Sequence, residues 1–413
     1  MMTKTPFSDS IIGESHAQRE VRKSAITTKF FKTPEFDYQF IRALGLHYHG
    51  GASLGECLNT AKWIEDEDVV SWVEEWEKTA QLVESEAEKF KLNGQNISAR
   101  DSFLRASMYY RSAEYYAFFS EPNKKKNWKK SKECFLKAAE LFINPPEVFQ
   151  IPFEYMKLPG YLFYLGHEKR PTLLVMSGFD GTAEELYFYI GAEALERGYN
   201  VLLFEGPGQV GPIHLYPQKP FRPDYEKPIK AVVDFACNRE EVDQNKLALI
   251  GFSIGGYYAP RAVVYEKRIK ACVADSPIIN VGNYYRGMGR MEELLEIGEE
   301  DYPYIFKNYP MTRWIIETLT RRYGVRNFAQ LLDKIKKFNI EDDLEKIECA
   351  TLSLVSEGEG NEAVGQAKRF FEGVSGPKDI YIFTADEGAD SHCQISNLAL
   401  MNAVVFNWLD KVL

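Results

Sequence analysis

The chain has 413 residues, 45% hydrophobic and 27% charged, with six cysteines and a formal net charge of −10. That is ordinary soluble globular composition with room for two or three domains, and it excludes disordered, collagen-like and disulfide-scaffold chains. The acidic balance argues against general nucleic-acid or anionic-membrane binding, and the scattered cysteines, none in a CxxC pair, argue against a zinc ribbon.

The opening residues, MMTKTPFSDSII, lack the charged-then-apolar pattern of a secretory signal. No stretch approaches the roughly 18 uncharged apolar residues of a membrane span. The reading is a cytoplasmic protein. Residues 1–36 read as a loose polar arm. From Asp37 the pattern turns helical. Val69, Trp72, Val73, Trp76, Ala80, Val83, Ala87 and Phe90 recur at three- and four-residue steps, which predicts one amphipathic helix ended by Asn93-Gly94. Ser98 and Asp101 have the spacing of a capping box for the next helix. A third helix is predicted from Trp128 to Phe142. The lysine run from Lys124 to Lys132 reads as a solvated helix end, with a docking patch as the sharper alternative. Residues 37–146 thus read as a helical N-terminal domain, closed by the breaker Asn144-Pro145-Pro146.

Residues 147–413 change period. Glu154–Lys157 and Tyr161–Leu165 read as paired strands around Pro159-Gly160. Thr172–Met176, Val201–Phe204, Leu247–Ile250, Ala271–Ala274, Leu352–Val355 and Ile380–Phe383 are short apolar runs separated by helical stretches. This pattern predicts an α/β fold, a mostly parallel sheet covered by helices on both faces. Residues 283–346 are helical and too long for a simple crossover. They hold Tyr284, Tyr285, Met288, Met291, Tyr302, Tyr304, Phe306, Tyr309, Met311 and Trp314, and read as an inserted lid that roofs a pocket together with the N-terminal helices.

The sharpest motif is Gly251-Phe252-Ser253-Ile254-Gly255, between the strand Leu247–Ile250 and a helical run from Tyr257 to Tyr265. A GxSxG in that setting is a nucleophile elbow, with the serine on a tight turn that projects its oxygen from the sheet edge. A serine needs a base. Of His16, His47, His49, His167, His214 and His392, only His392 follows Ser253, as the order serine–acid–histidine demands, and it lies in the loop after the last strand. His47 and His49 read as structural or surface residues. Counting from the strand Leu352–Val355, Glu359 falls at the turn position for the acid; Glu357, Glu362 and Asp275, directly after Ala271–Ala274, stay open as alternatives. The oxyanion takes two backbone N–H donors, from Ile254 and from Phe179 in the glycine loop Ser177-Gly178-Phe179-Asp180-Gly181-Thr182. Glu205-Gly206-Pro207-Gly208-Gln209 lacks the P-loop lysine and reads as a tight turn beside the site.

Four segments, GFDGT, FEGPGQ, GFSIGGYYAPRA and FTADEGADSHCQ, together with the helical N-terminal region, resemble one α/β-hydrolase branch. It holds the fungal yellowish-green-type polyketide-shortening hydrolases and 2,6-dihydroxypseudooxynicotine hydrolase, and is similar to the esterases related to the fermentation–respiration switch protein. The resemblance runs from about Asp37 to the C-terminus. Ser253 and His392 match the nucleophile and base of that branch; Glu359 stands where the branch carries aspartate. The branch is known for ester, acyl and β-dicarbonyl-type C–C cleavage, so the resemblance implies C–C bond or acyl hydrolysis of a small-molecule carbonyl compound; the aromatic-rich insertion suits an aromatic or polyketide-like one, and no metal or organic cofactor is implied. A carboxylesterase or acyltransferase with the same triad is the alternative, a non-catalytic binding protein the remote one. A homodimer stays open.

Overall fold

A computed structural model describes residues 24, 26–287, 289 and 294–413. Most of the arm 1–36, His16, Met288 and Met291 lie outside the described residues. The chain opens with helices α1 (Pro34–Gly45), α2 (Leu54–Ala61), α3 (Val69–Leu92), α4 (Asn96–Tyr116) and α5 (Pro122–Ala139). The described part of that arm, Ser24 and residues 26–33, contacts the rest of the fold. Ser24 Oγ donates to Asp390 Oδ1 at 2.7 Å, and Phe31 is buried against Phe36 and Trp72.

Two helix starts differ from the sequence reading. Helix α4 begins at Asn96 after Gln95, so Ser98 and Asp101 lie inside it rather than capping it. Helix α5 begins at Pro122 and ends at Ala139, not 128–142, because proline fits the first helical turn, where no backbone donor is needed. The lysine run is therefore part of the helix. Lys124 within it is buried, paired with Glu114 Oε1 at 3.0 Å and donating to the carbonyls of Glu114 and Tyr115. Lys125, Lys126 and Lys129 are exposed, so the run is solvated as expected and Lys124 is the exception. His47 and His49 sit in a short 3₁₀ turn, Leu46–His49.

An eight-stranded sheet follows: β1 (Glu147–Phe153), β2 (Met156–Phe163), β3 (Arg170–Met176), β4 (Asn200–Phe204), β5 (Val242–Phe252), β6 (Ala271–Asp275), β7 (Ala350–Ser356) and β8 (Lys378–Phe383). Its order is β1-β2-β4-β3-β5-β6-β7-β8, with β2 antiparallel to both its neighbours, β1 and β4, and β3 to β8 parallel to one another. The hairpin turns at Glu154-Tyr155, where Glu154 has φ 48°, and not at Pro159-Gly160, which lie inside β2. Gly160 serves a close approach instead: a Cβ there would stand 2.2 Å from Leu203 O on β4.

Both sheet faces are covered, so the strands read as unbroken apolar runs. Leu173 and Val175 face the N-terminal helices and the C-terminal helix Leu398–Val412. Leu174 and Met176, one residue out of phase, face the helices Glu226–Cys237 and Gly255–Tyr265 and part of the insertion. The insertion is helical, with longer pieces at Pro310–Tyr323 and Phe328–Ile335, and a bridge between Asn280 and Asn339 ties its ends. Trp314 from it packs on Tyr115 and Tyr116 and donates its indole N–H to Tyr115 O at 2.7 Å. The N-terminal helices and the insertion therefore meet above the sheet. Among the described residues, no helix is long and apolar enough to cross a membrane.

Candidate active site

Ser253 sits directly after β5, in the left-handed region at φ 57°, a conformation a non-glycine residue rarely holds without a reason. The turn is so tight that a Cβ on Gly251 would stand 2.0 Å from Gly255 O. The helix behind Ser253 starts at Gly255, two residues earlier than the periodicity suggests. Its N-terminus favours negative charge at the serine oxygen.

His392 Nε2 lies 3.0 Å from Ser253 Oγ, and its Nδ1 lies 2.5 Å from Glu359 Oε2. A carboxylate only accepts, so Nδ1 carries the proton and Nε2 is left to accept from the serine hydroxyl. Glu359, in the short turn Glu357–Glu359 after β7, also accepts from Ser276 Oγ at 2.6 Å and from the Ser356 N–H at 3.1 Å. Burial alone would raise this carboxyl; its attraction to the His392 ring when that is protonated, and the hydrogen bonds from His392, Ser276 and the Ser356 N–H, outweigh it and hold Glu359 below its ordinary pKa. The histidine loop is fixed in turn. Tyr38 from α1 donates to His392 O at 3.2 Å, and Gln394 Nε2 donates to Ser356 Oγ at 2.9 Å.

The remaining acid candidates point elsewhere. Glu357 accepts from the Ala385 N–H at 2.7 Å, and Glu362 accepts from Gln366 and Arg369. Asp275 is fully buried at the end of β6, where Gln394 Nε2 donates to its Oδ1 at 3.2 Å and its Oδ2 finds no partner. Burial, and then the neighbouring charge of Glu359, push its pKa well up. A folded-state acid with a raised pKa binds a proton that the unfolded chain releases, so it costs stability as pH rises above the ordinary aspartate range. Asp275→Asn removes that cost. Its melting temperature is expected to exceed that of the wild type at pH 7, with the gap closing as pH falls toward 4, and turnover is expected to stay near wild type. Thermal scans across pH check the first and initial rates the second.

The loop 177–182 approaches Ser253 from β3. Asp180 on that loop is held by the N-terminal helices: Arg42 Nη1 lies 2.9 Å from its Oδ1, and Arg111 Nη2 donates to its carbonyl at 3.3 Å. The same arginines grip Glu185, Arg42 through two bonds of 2.8 and 2.6 Å. Burial alone would lower the Arg42 guanidinium, but Asp180 and Glu185 reverse that and hold it above its ordinary value. Removing one partner of a buried ion pair costs about 3–5 kcal/mol, because the other charge stays buried. Arg42→Met is therefore expected to lower unfolding free energy by about that amount, read by denaturant titration.

A cavity of about 460 Å³ opens on Ser253, His392 and Glu359. Its walls come from both regions, with Tyr38, Arg42 and Tyr115 from the N-terminal helices and Tyr284, Tyr285 and Trp314 from the insertion. Among the described residues, no cluster of three or more His, Cys, Asp or Glu side chains is placed to hold a metal ion. Sequence reasoning missed Tyr38, Arg42, Arg111 and Ser276, which lie far from the motifs along the chain. Only Ser276 had a local signal, its place directly after a central strand.

Against known proteins, the family described as esterase FrsA-like matches residues 68–283. The 20-hydroxy-prefusarin hydrolase FUS2 of Gibberella moniliformis is 31% identical over 424 residues, spanning 93% of this chain and 97% of that protein. Hydrolase LUC6 of a Fusarium species is 31% identical over 425 residues, with the same coverage of 93% and 97%. Among solved structures, 2,6-dihydroxy-pseudo-oxynicotine hydrolase superposes with a TM-score of 0.71 at 22% identity, covering 90% of this chain and 95% of that one, so the likeness is one of fold. The overall match to named hydrolases and the family profile agree: this chain is an α/β-hydrolase enzyme and belongs to the FrsA-like esterase family.

Proposed function

We propose that the protein is a serine hydrolase that cleaves a small aromatic or polyketide-like carbonyl compound. Ser253 Oγ attacks the carbonyl carbon as its proton passes to His392 Nε2. Glu359 holds the Nδ1–H tautomer and stabilises the imidazolium. The N–H groups of Ile254 and Phe179 take the oxyanion. His392 then protonates the leaving group, and a water, activated by the same histidine, releases the acyl group. In C–C cleavage the leaving group is a carbanion or enol, which a neighbouring ketone or aromatic ring must stabilise.

The observation that carries this reading is the unbroken series Ser253–His392–Glu359, at 3.0 and 2.5 Å. The aromatic cavity wall supports the substrate class, as does the relative named for hydrolysing 20-hydroxy-prefusarin. In this reading residues 37–146 act as a cap, residues 147–413 carry the catalysis, and 283–346 form the lid. The family description favours ester cleavage as the second reading, in which the same steps release an alcohol.

A panel of aryl esters and aryl β-diketones, with product analysis, tests the proposal. Acid plus ketone from the diketones supports C–C cleavage. Turnover of the esters alone selects the second reading. Inertness toward both, in protein that is also not labelled by a fluorophosphonate, overturns both.

A further inference from the structure

The turn after β4 holds one side chain that the triad does not use. Gln209 is fully buried. Its Oε1 accepts from the Gly206 N–H at 2.6 Å. Its Nε2 faces the loop 177–182, donating to Ser177 O at 2.6 Å and lying 3.3 Å from both Ser177 Oγ and Gly178 O. The orientation of the amide is forced, since Gly206 offers a donor and the loop offers acceptors.

A peptide unit is planar and trans, so a carbonyl and the N–H that follows it point in opposite directions. A contact that fixes Gly178 O therefore fixes the Phe179 N–H, and one that fixes Ser177 O fixes the Gly178 N–H. These are the peptides beside the serine: a Cβ on Gly178 would stand 2.6 Å from Ser253 Cβ and 2.8 Å from Ile254 N. The same turn props the far end of the loop. Glu205 accepts from the Ala183 N–H at 3.3 Å and from the Gly211 N–H at 3.1 Å.

We infer that Gln209 is a positioning residue for the oxyanion hole: it fixes the peptide planes of residues 177–179 and so aims the loop's N–H donor, on Phe179, at the oxygen that becomes negative. The inference rests on the serine-hydrolase reading above. Donors aligned before reaction need no reorganisation when charge develops, and a loop free to rotate loses that advantage.

The test compares wild type with Gln209→Met, which keeps length but makes no hydrogen bond, and with Gln209→Glu, which keeps the acceptor for Gly206 and loses the donor. An aryl trifluoromethyl ketone probes the hole directly. Ser253 Oγ adds to its carbonyl carbon, the proton passes to His392, and the former carbonyl oxygen becomes the bound oxyanion. Both variants are expected to lose on the order of 10²-fold in kcat with KM nearly unchanged, and to bind the ketone more weakly by the same factor. A residue that only stabilises the fold would lower the melting temperature and leave the ketone affinity of the folded fraction unchanged. Relative to the wild-type pH profile, Gln209→Glu is also expected to recover as pH falls, because the protonated acid regains one donor. Should Gln209→Met fail to fold, Gln209→Glu carries the comparison. Wild-type ketone affinity in a folded variant overturns the positioning role alone. Wild-type protein that neither takes a fluorophosphonate on Ser253 nor binds the ketone overturns the serine-hydrolase reading with it.

Discussion

Ser253→Ala is expected to abolish turnover, with a loss in kcat on the order of 10⁶-fold, the scale seen when a triad nucleophile is removed. Fluorophosphonate labelling is expected to vanish with it. Stability should change little. Alanine carries the same Cβ as serine, so the left-handed backbone at φ 57° is no more strained than before, and the lost hydroxyl has His392 Nε2 as its hydrogen-bond partner at 3.0 Å. A hydroxyl facing a cavity is replaced there by water at small cost. Mass spectrometry of labelled and unlabelled protein, beside a thermal scan, checks the result. Labelling that persists on the alanine variant would show that another residue is the nucleophile.

Glu359→Gln is the second large effect. In the proposed mechanism the carboxylate does two things for His392: it holds the proton on Nδ1, and it stabilises the positive ring that forms when Ser253 gives up its proton. Glutamine can still present an oxygen to Nδ1 but supplies no charge, and its amide can turn a donor toward the ring instead. In the serine protease template the equivalent change costs on the order of 10⁴-fold in kcat, and a loss of that order is expected here. Glu357→Gln and Glu362→Gln are expected to stay within about twofold of wild type, since exposed or half-exposed carboxylates away from the ring contribute little. Glu357 meets the Ala385 N–H, and Glu362 meets Gln366 and Arg369. Initial rates at saturating substrate decide between the three. Full activity in Glu359→Gln with a collapse in Asp275→Asn would move the acid to the end of β6.

Polar contacts join the two halves of the chain beside Ser253 and His392. Arg42 and Arg111 reach from α1 and α4 to Asp180, and Tyr38 reaches from α1 to the backbone of His392. A shift of the N-terminal helices would therefore disturb the glycine loop and the histidine loop together. Charge-assisted bonds in a buried setting hold such geometry more firmly than surface pairs do.

Much of this was legible in the sequence because the relevant information is local. A parallel strand buried on both faces is a short apolar run, so most β-strands could be read directly. The elbow needs small residues at fixed offsets from Ser253. The serine–acid–histidine order left His392 without a rival, and the count from β7 placed Glu359 in the turn that meets it. Other features were decided by atoms distant along the chain. Lys124 looked like one of six solvated lysines; only the packing of α4 against α5 puts Glu114 beside it. Pro159-Gly160 looked like a turn, yet β4 passes so close that only glycine fits within the strand. Nothing near Asp180 in sequence announces Arg42, which is 138 residues away, and nothing near Glu359 announces Ser276, 83 residues away. Spacing encodes the backbone path over a few residues. Which buried charge meets which partner depends on how whole helices and strands pack, and that was fixed by tertiary structure.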